Sequence, residues 1–510
     1  METPLQFLRG WLPFSRPPEP DKAAAEVREW LDSTTDVPAP KALASLATEI
    51  IPNIARHGDL PLRFKLLEEA RGAADRALPA IEAEVEAAIL PLPTAVMATA
   101  LAADNVLKTL AIAYAGIAQA IGSQKRHASL DSLLEISTRR AIEAVCQRQQ
   151  LAYRAYATPS ASSWQMLHDL YRLARRQQIG SRNGAATPIE YLYAGALLLA
   201  WVDPGKFPRG SLGQVRASID LLAPLASIGE ATADFHVPKA PVGQFVIDRE
   251  ESGAGRPLAR AQLTSTLVGN LIVDFRPVLA VLDQHLRQLP GDTPALPLKA
   301  PESYLRAMRA AIGSHAARRF SRTRFKPRAD LVTGVDALIE LLNGRALSRR
   351  FNDPPRHGQN WPLAISEWAL LDESPEGYGI RYIKGEKTAI EAGEVVALQP
   401  RENSRVHICM VRRIASPQHH RLELGLQELS ANGIVIDLPS ALGRTQRQAI
   451  LIPHLPGHGN CAGILARPGA MRTGQRVNFR DPERAVRYTI GAPLEKNAHV
   501  ELFALDPVAG

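Results

Sequence analysis

Up to about residue 310, the apolar residues recur every three or four positions, which is the period of an amphipathic helix. Proline or glycine bounds most of these segments, as is common at helix ends. Ser162 and Thr187 each precede a Gln or Glu by three positions, as in a capping box, and so mark two helix starts. The remaining predicted helices cover residues 21–31, 41–54, 60–90, 94–121, 139–156, 265–289 and 301–317.

The helical pattern breaks between about residues 229 and 262. Residues 244–247 form a short apolar run that is typical of a strand, and the charged, glycine-bearing segment 248–256 follows it. We therefore predict a short β insertion in an otherwise helical domain. Its helices pack as a bundle or as a solenoid-like stack, although the sequence shows no repeat of fixed period.

After about residue 318, the pattern changes to the alternation that is typical of strands. Short strands separated by turn residues predict one or two small antiparallel barrels. The first group covers residues 329–334, 364–371, 379–383, 395–398, 406–414 and 421–426, with a helix at 336–343. The second covers residues 433–436, 449–452, 463–466, 476–479, 485–490 and 499–504.

The predicted fold class is therefore multidomain α + β, a helical N-terminal region followed by a β-barrel and a second small β domain. The boundaries that we predict are a flexible N-terminus at 1–20, a helical domain at 21–310, a barrel with a basic arm at 318–430 and a second β region at 431–510. The last region is either a degenerate second barrel or an extension of the first sheet.

The charge and the cysteine spacing indicate the cellular environment of the protein and the kind of partner that it binds. The formal net charge is +8, and six basic residues lie between positions 318 and 328 without an acid among them, which indicates a phosphate-bearing partner. The three cysteines, Cys146, Cys409 and Cys461, have neither disulfide-framework nor zinc-site spacing, which fits a reducing cytoplasm. Residues 94–121 are apolar, but Asp104 and Lys108 interrupt them, so we expect no membrane span.

One short stretch of the predicted barrel carries candidate binding chemistry. Asp372, Ser374 and Gly377 form a D-x-S-x-x-G pattern between two strands. An ordinary hairpin turn uses the same residue types. An acid and a hydroxyl can also bind a guanine edge or a phosphate, and glycine permits close approach of the backbone.

Arginines precede this stretch at the spacing R-x-x-x-R. Arg318 with Arg322, and Arg324 with Arg328, both fit the spacing, as do Arg345 and Arg349 further along. A planar guanidinium can bind phosphate through two hydrogen bonds, read O6 and N7 of guanine or stack on a purine. The alternative is a solvated basic linker. Together the two patterns suit a ligand with two phosphates and two guanines.

Residues 318–430 resemble a PilZ domain, the bacterial receptor module for cyclic di-GMP. The resemblance rests on the R-x-x-x-R arm, the strand after it and the complete D-x-S-x-x-G motif. It implies a six-stranded barrel whose arm arginines grip phosphates and guanines, with Asp372 and Ser374 binding the remaining guanine and phosphate region. The helical 1–310 is similar to the N-terminal part of long proteobacterial proteins that carry such a domain. Binding would order the arm and change how the helical domain meets the barrel.

The sequence departs from the family in one respect. Between Arg328 and Asp372 lie 43 residues, where family members have about one strand pair. The insertion could move the arm away from the loop, or Arg345 and Arg349 could replace it. This leaves open which arginine pair forms the arm.

The leading interpretation is a cytoplasmic cyclic di-GMP effector that relays binding to a protein partner through its helical domain. The alternative is a PilZ-like interaction scaffold that binds no nucleotide. The scarcity of aromatic residues in the β part argues against nucleic-acid binding. We find no nucleophile–base pair and no P-loop, and Pro456 and Gly457 prevent His454 and His458 from aligning on a helix. We therefore expect no enzyme activity, metal site or cofactor.

Overall fold

The computed structural model divides near residue 317 into two compact units, a mainly helical one before it and a β one after it. Apart from Pro20, the flexible N-terminus predicted at 1–20 lies outside the described residues, as do Arg318, Arg322 and Arg324. The structure describes residues 20–33, 37–123, 128–179, 188–238, 241–261, 267–287, 296–313, 327–344, 347–348, 363–386, 389–402, 405–417, 421–438, 447–480 and 485–507.

The first unit is built mostly from helices, as the apolar period predicts. A turn of π-helix at Leu46–Ile50 joins α2 to α3. The bounds are α1 (Pro20–Ser33), α2 (Ala39–Ser45), α3 (Ile51–Ala55), α4 (Leu60–Ala87), α5 (Thr94–Gly122), α6 (Ala128–Arg154), α7 (Ala161–Arg176), α8 (Pro188–Val202), α9 (Leu212–Leu222), α10 (Leu258–Ala261), α11 (Arg276–Arg287) and α12 (Glu302–Gly313).

The N-cap of helix α7 differs from the predicted one. Its N-cap is Ser160, whose hydroxyl accepts a hydrogen bond from the backbone N–H of Ser163 at 3.2 Å. Ser162, the predicted cap, lies inside the first turn. Both serines fit the preference for a hydroxyl at this position, so residue type alone did not separate them.

Helix α5 forms the centre of the helical unit. Its buried residues include Val106, Leu110, Tyr114 and Ile117, and the helix packs mainly against α4 and α6. Its length and composition alone would allow it to cross a membrane, but 44% of its most apolar window is buried inside the unit. That burial, together with the ion pair of Asp104 with Arg148 of α6 at 2.8 Å, is typical of the core helix of a folded domain.

The β insertion of the helical unit is larger than predicted. Strands β1 (Ser227–Glu230), β2 (Gln244–Ile247), β3 (Arg256–Pro257) and β4 (Leu271–Asp274) form one sheet in the order β1-β4-β2-β3. The predicted helix over 265–289 is therefore wrong in its first part. Gly269 turns the chain with a φ of 80°, and the β-branched pair Ile272 and Val273 then buries in the sheet.

The second unit begins with a closed antiparallel barrel in the order β10-β11-β12-β9-β8-β5. Strand β5 closes it by pairing with both β8 and β10. Inward residues such as Trp368, Leu370, Ile380 and Leu424 are buried and fill the interior. The strands are β5 (Arg328–Thr333), β8 (Ser366–Ser374), β9 (Gly377–Gly385), β10 (Val395–Pro400), β11 (His407–Ala415) and β12 (Glu423–Ser430).

The insertion between β5 and β8 is attached at one end of the barrel. It contains helix α13 (Val335–Leu342) and the short parallel strands β6 (Leu347–Ser348) and β7 (Leu363–Ala364). It leaves after the last residue of β5 and returns before the first residue of β8. The β8–β9 hairpin turn lies at the other end, because β8 runs from Ser366 towards that turn.

The last strands form a separate sheet curled into a half-barrel, which agrees with a degenerate second barrel and not with an extension of the first sheet. It shares a hydrophobic core with the barrel and α13, to which Leu338, Met410, Ile452 and Leu502 contribute. The predicted fold class is thus confirmed. The strands are β13 (Ile434–Leu438), β14 (Arg447–Leu455), β15 (Cys461–Ala466), β16 (Arg476–Arg480), β17 (Ala485–Lys496) and β18 (Glu501–Pro507), in the order β13-β14-β15-β18-β17-β16.

Candidate functional site

The D-x-S-x-x-G stretch forms the tight turn of the β8–β9 hairpin. Ser374 and Gly377 are the last cross-strand pair, and the exposed Pro375 and Glu376 connect them. The Ser374 hydroxyl donates a hydrogen bond to the carbonyl oxygen of Gly377 at 3.3 Å. The serine of the motif therefore stabilises the turn, and its half-buried oxygen still has acceptor capacity.

Gly377 is required by the close approach of this turn to β12. Its φ is 147°, and a Cβ atom at this position would lie 1.9 Å from the carbonyl oxygen of Leu426. The backbone N–H of Glu428 also donates to the carbonyl oxygen of Glu376 at 3.0 Å. The motif glycine is therefore explained by barrel closure, whether or not a ligand also approaches it.

Asp372 lies near the end of β8, on the outer surface of the barrel. Its Cα partner is Gly379 of β9, and its carboxylate lies over that glycine. A Cβ atom at Gly379 would be 2.5 Å from the Asp372 Oδ1. The missing side chain of Gly379 thus makes the room that the carboxylate occupies.

The row that begins at Asp372 continues across the next two strands. Gly379 pairs with Gly425 of β12, and Gly425 pairs with the exposed Arg413 of β11. We call Gly379 and Gly425 the glycine floor. Gly379 is buried under the Asp372 carboxylate, whereas Gly425 is half-buried, so Gly425 supplies the accessible backbone between Asp372 and Arg413.

Arg328 is the arm residue that the structure describes. It is the first residue of β5 and pairs with Ala369, three positions before Asp372 on β8. Just outside the strand, the Leu370 N–H donates to the carbonyl oxygen of Pro327 at 2.9 Å. The chain therefore enters β5 on the hairpin side of the barrel, while the insertion between β5 and β8 is attached at the opposite end. The insertion does not carry the start of β5 away from the loop.

The other predicted arm residues cannot be placed. Arg318, Arg322 and Arg324, and the replacement candidates Arg345 and Arg349, lie outside the described residues. Of the predicted ligand-binding set, the structure describes Arg328, Asp372, Ser374 and Gly377. Asp372, Ser374 and Gly377 lie at the hairpin end of β8 and β9, whereas Arg328 pairs with Ala369 in the middle of β8.

Arg328 is engaged by a carboxylate in this structure. It forms an ion pair with Glu367 of β8, which Arg401 also contacts at 2.9 Å. Arg401 in turn reaches the buried Asp330 at 2.8 Å. Burial alone would raise the pKa of the Glu367 carboxyl, but hydrogen bonds from Arg328 and Arg401 hold that pKa below its ordinary value. A phosphate at Arg328 would compete with Glu367.

A hydrogen-bonded group supports the turn from β11 and β12. The His407 Nδ1 lies 2.8 Å from Glu428 Oε1 and 3.1 Å from the Tyr378 hydroxyl. Tyr378 follows the motif glycine directly, and burial, together with the Glu428 charge, raises the pKa of its hydroxyl. These contacts hold the first residues of β9 against β12.

A second chain of contacts joins the turn to the half-barrel sheet. Gln427 is the Cα partner of Gly377, and its side-chain oxygen accepts a hydrogen bond from Arg412 Nε at 2.6 Å. Arg412 also forms an ion pair with Glu495 of β17. One arginine therefore contacts both the strand behind the motif and the second sheet.

Other chemistry is sparse in the described part of the chain. No group of three or more His, Cys, Asp or Glu residues within it could hold a metal ion. His454 and His458, which the sequence placed near each other, lie on strand β14 and in the short turn after it.

The sequence analysis missed Gly379, Gly425, Arg413 and Glu367. A glycine inside a strand often marks a close approach of a backbone or ligand, and Gly379 and Gly425 both interrupt alternating strands. That signal was present for both glycines. The pairing of Gly425 with Arg413 depends on a bulge in β11 that residue spacing does not reveal.

One comparison with known proteins matches the helical part, and another covers most of the chain. A family model described as the N-terminal domain of the cyclic-di-GMP receptor FimW matches residues 24–233. The cyclic-di-GMP receptor FimW of Pseudomonas aeruginosa is 22% identical to the chain over 457 residues, covering 74% of this chain and 73% of that protein. No solved structure matches the chain. The chain is thus similar to a cyclic-di-GMP receptor over most of its length, and its helical region is similar to that receptor's N-terminal domain.

Proposed function

We propose that this protein is a cytoplasmic, non-enzymatic effector that binds cyclic di-GMP at a PilZ-type barrel. The observation that carries the proposal is that Arg328, where the chain enters β5, pairs with Ala369, three positions before Asp372 on the adjacent strand of the hairpin. The similarity to a protein named as a cyclic-di-GMP receptor supports the same ligand. Neither the motif nor the similarity would carry the proposal alone.

The roles proposed for the residues follow from their chemistry. Asp372 accepts hydrogen bonds from N1–H and N2–H₂ of a guanine, and Ser374 binds the adjoining phosphate or base edge. Arg328 binds phosphate once it leaves Glu367. Arg324, Arg318 and Arg322 complete the arm in this proposal, gripping phosphate or stacking on the second guanine.

Calorimetric titration of the full-length protein with cyclic di-GMP tests this function, with GTP as the control ligand. We expect saturable binding with a Kd of about 1 μM or lower, equivalent to about −8 kcal/mol. Asp372→Ala and the double substitution Arg324→Ala with Arg328→Ala should each weaken it by at least tenfold. Unchanged affinity in both variants would show that the site is wrongly assigned, and no binding by the wild type would refute the function.

The second candidate is a scaffold that binds no nucleotide. The observation that favours it is that Ser374 and Gly377 both have structural reasons to be present, since the hairpin and its contact with β12 need them. A barrel that had lost its ligand would keep them. The two functions differ at Asp372→Leu, which keeps a side chain of similar size but removes both acceptor oxygens. It should abolish binding in a receptor and leave a scaffold's partner binding unchanged.

We also propose that the helical region carries the output to a protein partner. The FimW N-terminal family model matches this region, which suggests a role that this region shares with that receptor. Affinity purification of the full-length protein with and without cyclic di-GMP tests the relay, with Asp372→Ala as the control. A partner whose recovery changes with the nucleotide in the wild type alone supports it. Identical recovery in every sample contradicts it.

A further inference from the structure

The glycine floor lies on the outer surface of the barrel between two side chains of opposite charge. Asp372 stands over Gly379 on β9, and Arg413 stands on β11 beside Gly425. The residues next to the floor along the strands, Ile380 and Leu424, face the barrel interior and are buried. Gly379 and Gly425 therefore face outwards; the Asp372 carboxylate covers Gly379, and the half-buried Gly425 supplies the accessible backbone of the floor.

The dimensions of this surface suit one purine ring. Strands β9 and β11 are separated by β12, so two strand spacings, about 10 Å, lie between them. A purine with a hydrogen bond of about 2.9 Å at each edge spans about this distance. With no Cβ atom at Gly425, the ring can lie flat against the peptide groups.

The two flanking side chains distinguish guanine from adenine. A carboxylate only accepts hydrogen bonds, and guanine offers it N1–H and N2–H₂. A guanidinium only donates, and guanine offers it O6 and N7. Adenine has neither donor on that edge and replaces O6 with an amino group, so both sides of the site would reject it.

We infer that Gly425 and Arg413 complete a seat for one guanine of the ligand and that Arg413 sets the preference for guanine over adenine. This inference rests on the proposed binding of cyclic di-GMP and identifies the wall opposite the loop motif. Asp372 forms one side of the seat, the glycine floor forms its base, and Arg413 forms the other side.

The test uses Gly425→Ala and Arg413→Gln in the full-length protein, titrated with cyclic di-GMP and cyclic di-AMP. A Cβ atom at Gly425 would lie 3.4 Å from the Arg413 Cβ, and the backbone φ at Gly425 is not positive, so the fold should accept it. Alanine at a compatible glycine position reduces the entropy of the unfolded chain, so Tm should stay the same or rise. We nevertheless expect cyclic di-GMP affinity to fall at least tenfold. A structural defect would lower both quantities together.

Arg413→Gln should reduce the ratio of cyclic di-GMP to cyclic di-AMP affinity at least tenfold. Arg412→Gln is the matched control, because Arg412 is engaged by Gln427 and Glu495, and it should leave that ratio unchanged. Wild-type affinity and ratio in both test variants would overturn the seat while the proposed function stands. A wild type that binds neither nucleotide would overturn both.

Discussion

In the helical unit, charged side chains of α4 and α6 pair across the interface between the two helices. Arg140 contacts Glu68 at 2.8 Å, and Arg71 contacts Glu143 at 2.9 Å. All four side chains are at most 30% exposed. The charges in this region meet each other and fix how the two helices align.

The outer surface of the barrel is arranged differently. Asp372 lies over Gly379 of β9, Arg413 lies on β11 beside Gly425, and Arg328 of β5 has Glu367 as its partner. The FimW N-terminal family model matches residues 24–233, which contain none of the predicted site residues. The family-model match therefore lies in the helical unit and the predicted site residues lie in the β unit, so the stability of the first and the ligand affinity of the second need separate measurements.

The largest expected effect concerns the turn of the β8–β9 hairpin, which packs against β12. Gly377→Ala places a Cβ atom 1.9 Å from the Leu426 carbonyl oxygen, at a φ of 147°. We expect the free energy of unfolding of the β unit to fall by at least about 3 kcal/mol. Urea denaturation followed by barrel tryptophan fluorescence measures it.

The control for that substitution is Gly469→Ala, which has a φ of 72° but open space around the Cβ position. It should cost only about 1 kcal/mol, the penalty for the backbone conformation. If the two variants are equally stable, the contact with β12 does not explain the motif glycine.

Acid should destabilise the helical unit through His168. This side chain is buried between Tyr193, whose hydroxyl is 2.8 Å from Nδ1, and the Gly253 carbonyl, 2.8 Å from Nε2. The carbonyl can only accept, so Nε2 carries the proton and the ring is neutral. Burial lowers the pKa of His168 to about 4.

The direction of this change in the free energy of unfolding follows from when the folded and unfolded states bind a proton at His168. An unfolded histidine has a pKa of about 6.5, so the unfolded chain gains a proton before the folded chain as the pH falls. Between pH 6.5 and 4 the free energy of unfolding should drop by about 3 kcal/mol. His168→Gln should remove this part of the pH dependence, as denaturation at several pH values would show. Parallel profiles for the two proteins would contradict it.

A smaller effect is expected at the end of the α4–α6 interface. Arg154 contacts Glu82 at 3.0 Å and Glu86 at 2.6 Å, and its side chain is 17% exposed. Arg154→Met should lower the free energy of unfolding by about 1–2 kcal/mol, because it leaves two half-buried carboxylates without their cation. Arg306→Met at the exposed pair with Glu302 should change it by less than about 0.5 kcal/mol. Equal effects would remove the distinction between interface and surface pairs.

The smallest predicted effect concerns Glu367 on the barrel surface and the affinity for cyclic di-GMP. Glu367→Gln removes the charge that engages Arg328, and Arg401 keeps its contact with Asp330. Arg328 is then available to phosphate, so cyclic di-GMP affinity should rise about fivefold, or about 1 kcal/mol. Asp336→Asn on α13 makes the same change in net charge at the opposite end of the barrel and should have little effect. An equal increase in both variants would indicate only a general charge effect.

The strand pattern predicted the β part well because each strand has one buried face. The alternating Leu422, Leu424 and Leu426 are all buried, as their period requires. The order of the strands around the barrel and its closure by β5 depend on long-range pairing, which local periodicity does not contain. The failed prediction over 265–289 has the same origin. Ile272 and Val273 are apolar enough for a buried helix or a buried strand, and only their pairing with β2 makes them a strand.

The sequence predicted only those site residues whose type and spacing form a motif. Asp372, Ser374 and Gly377 could be found from their spacing, but Gly377 meets β12 and Asp372 lies over Gly379 for reasons of register. The partnership of Arg328 with Glu367 joins residues 39 positions apart and became visible only with the strands paired. The 43 residues between Arg328 and Asp372 suggested that an insertion separates the arm from the loop. The strand directions place that insertion at the end of the barrel away from the hairpin.

The position of that insertion has a consequence for recognising proteins of this kind. Both of its attachments lie at the barrel end away from the hairpin, so its length can drift without changing the distance between the first residue of β5 and the loop. A search pattern that fixes the number of residues between arginine arm and D-x-S-x-x-G imposes a limit that the fold does not. Chains with long segments at this junction belong among the candidates when receptors are sought in genomes.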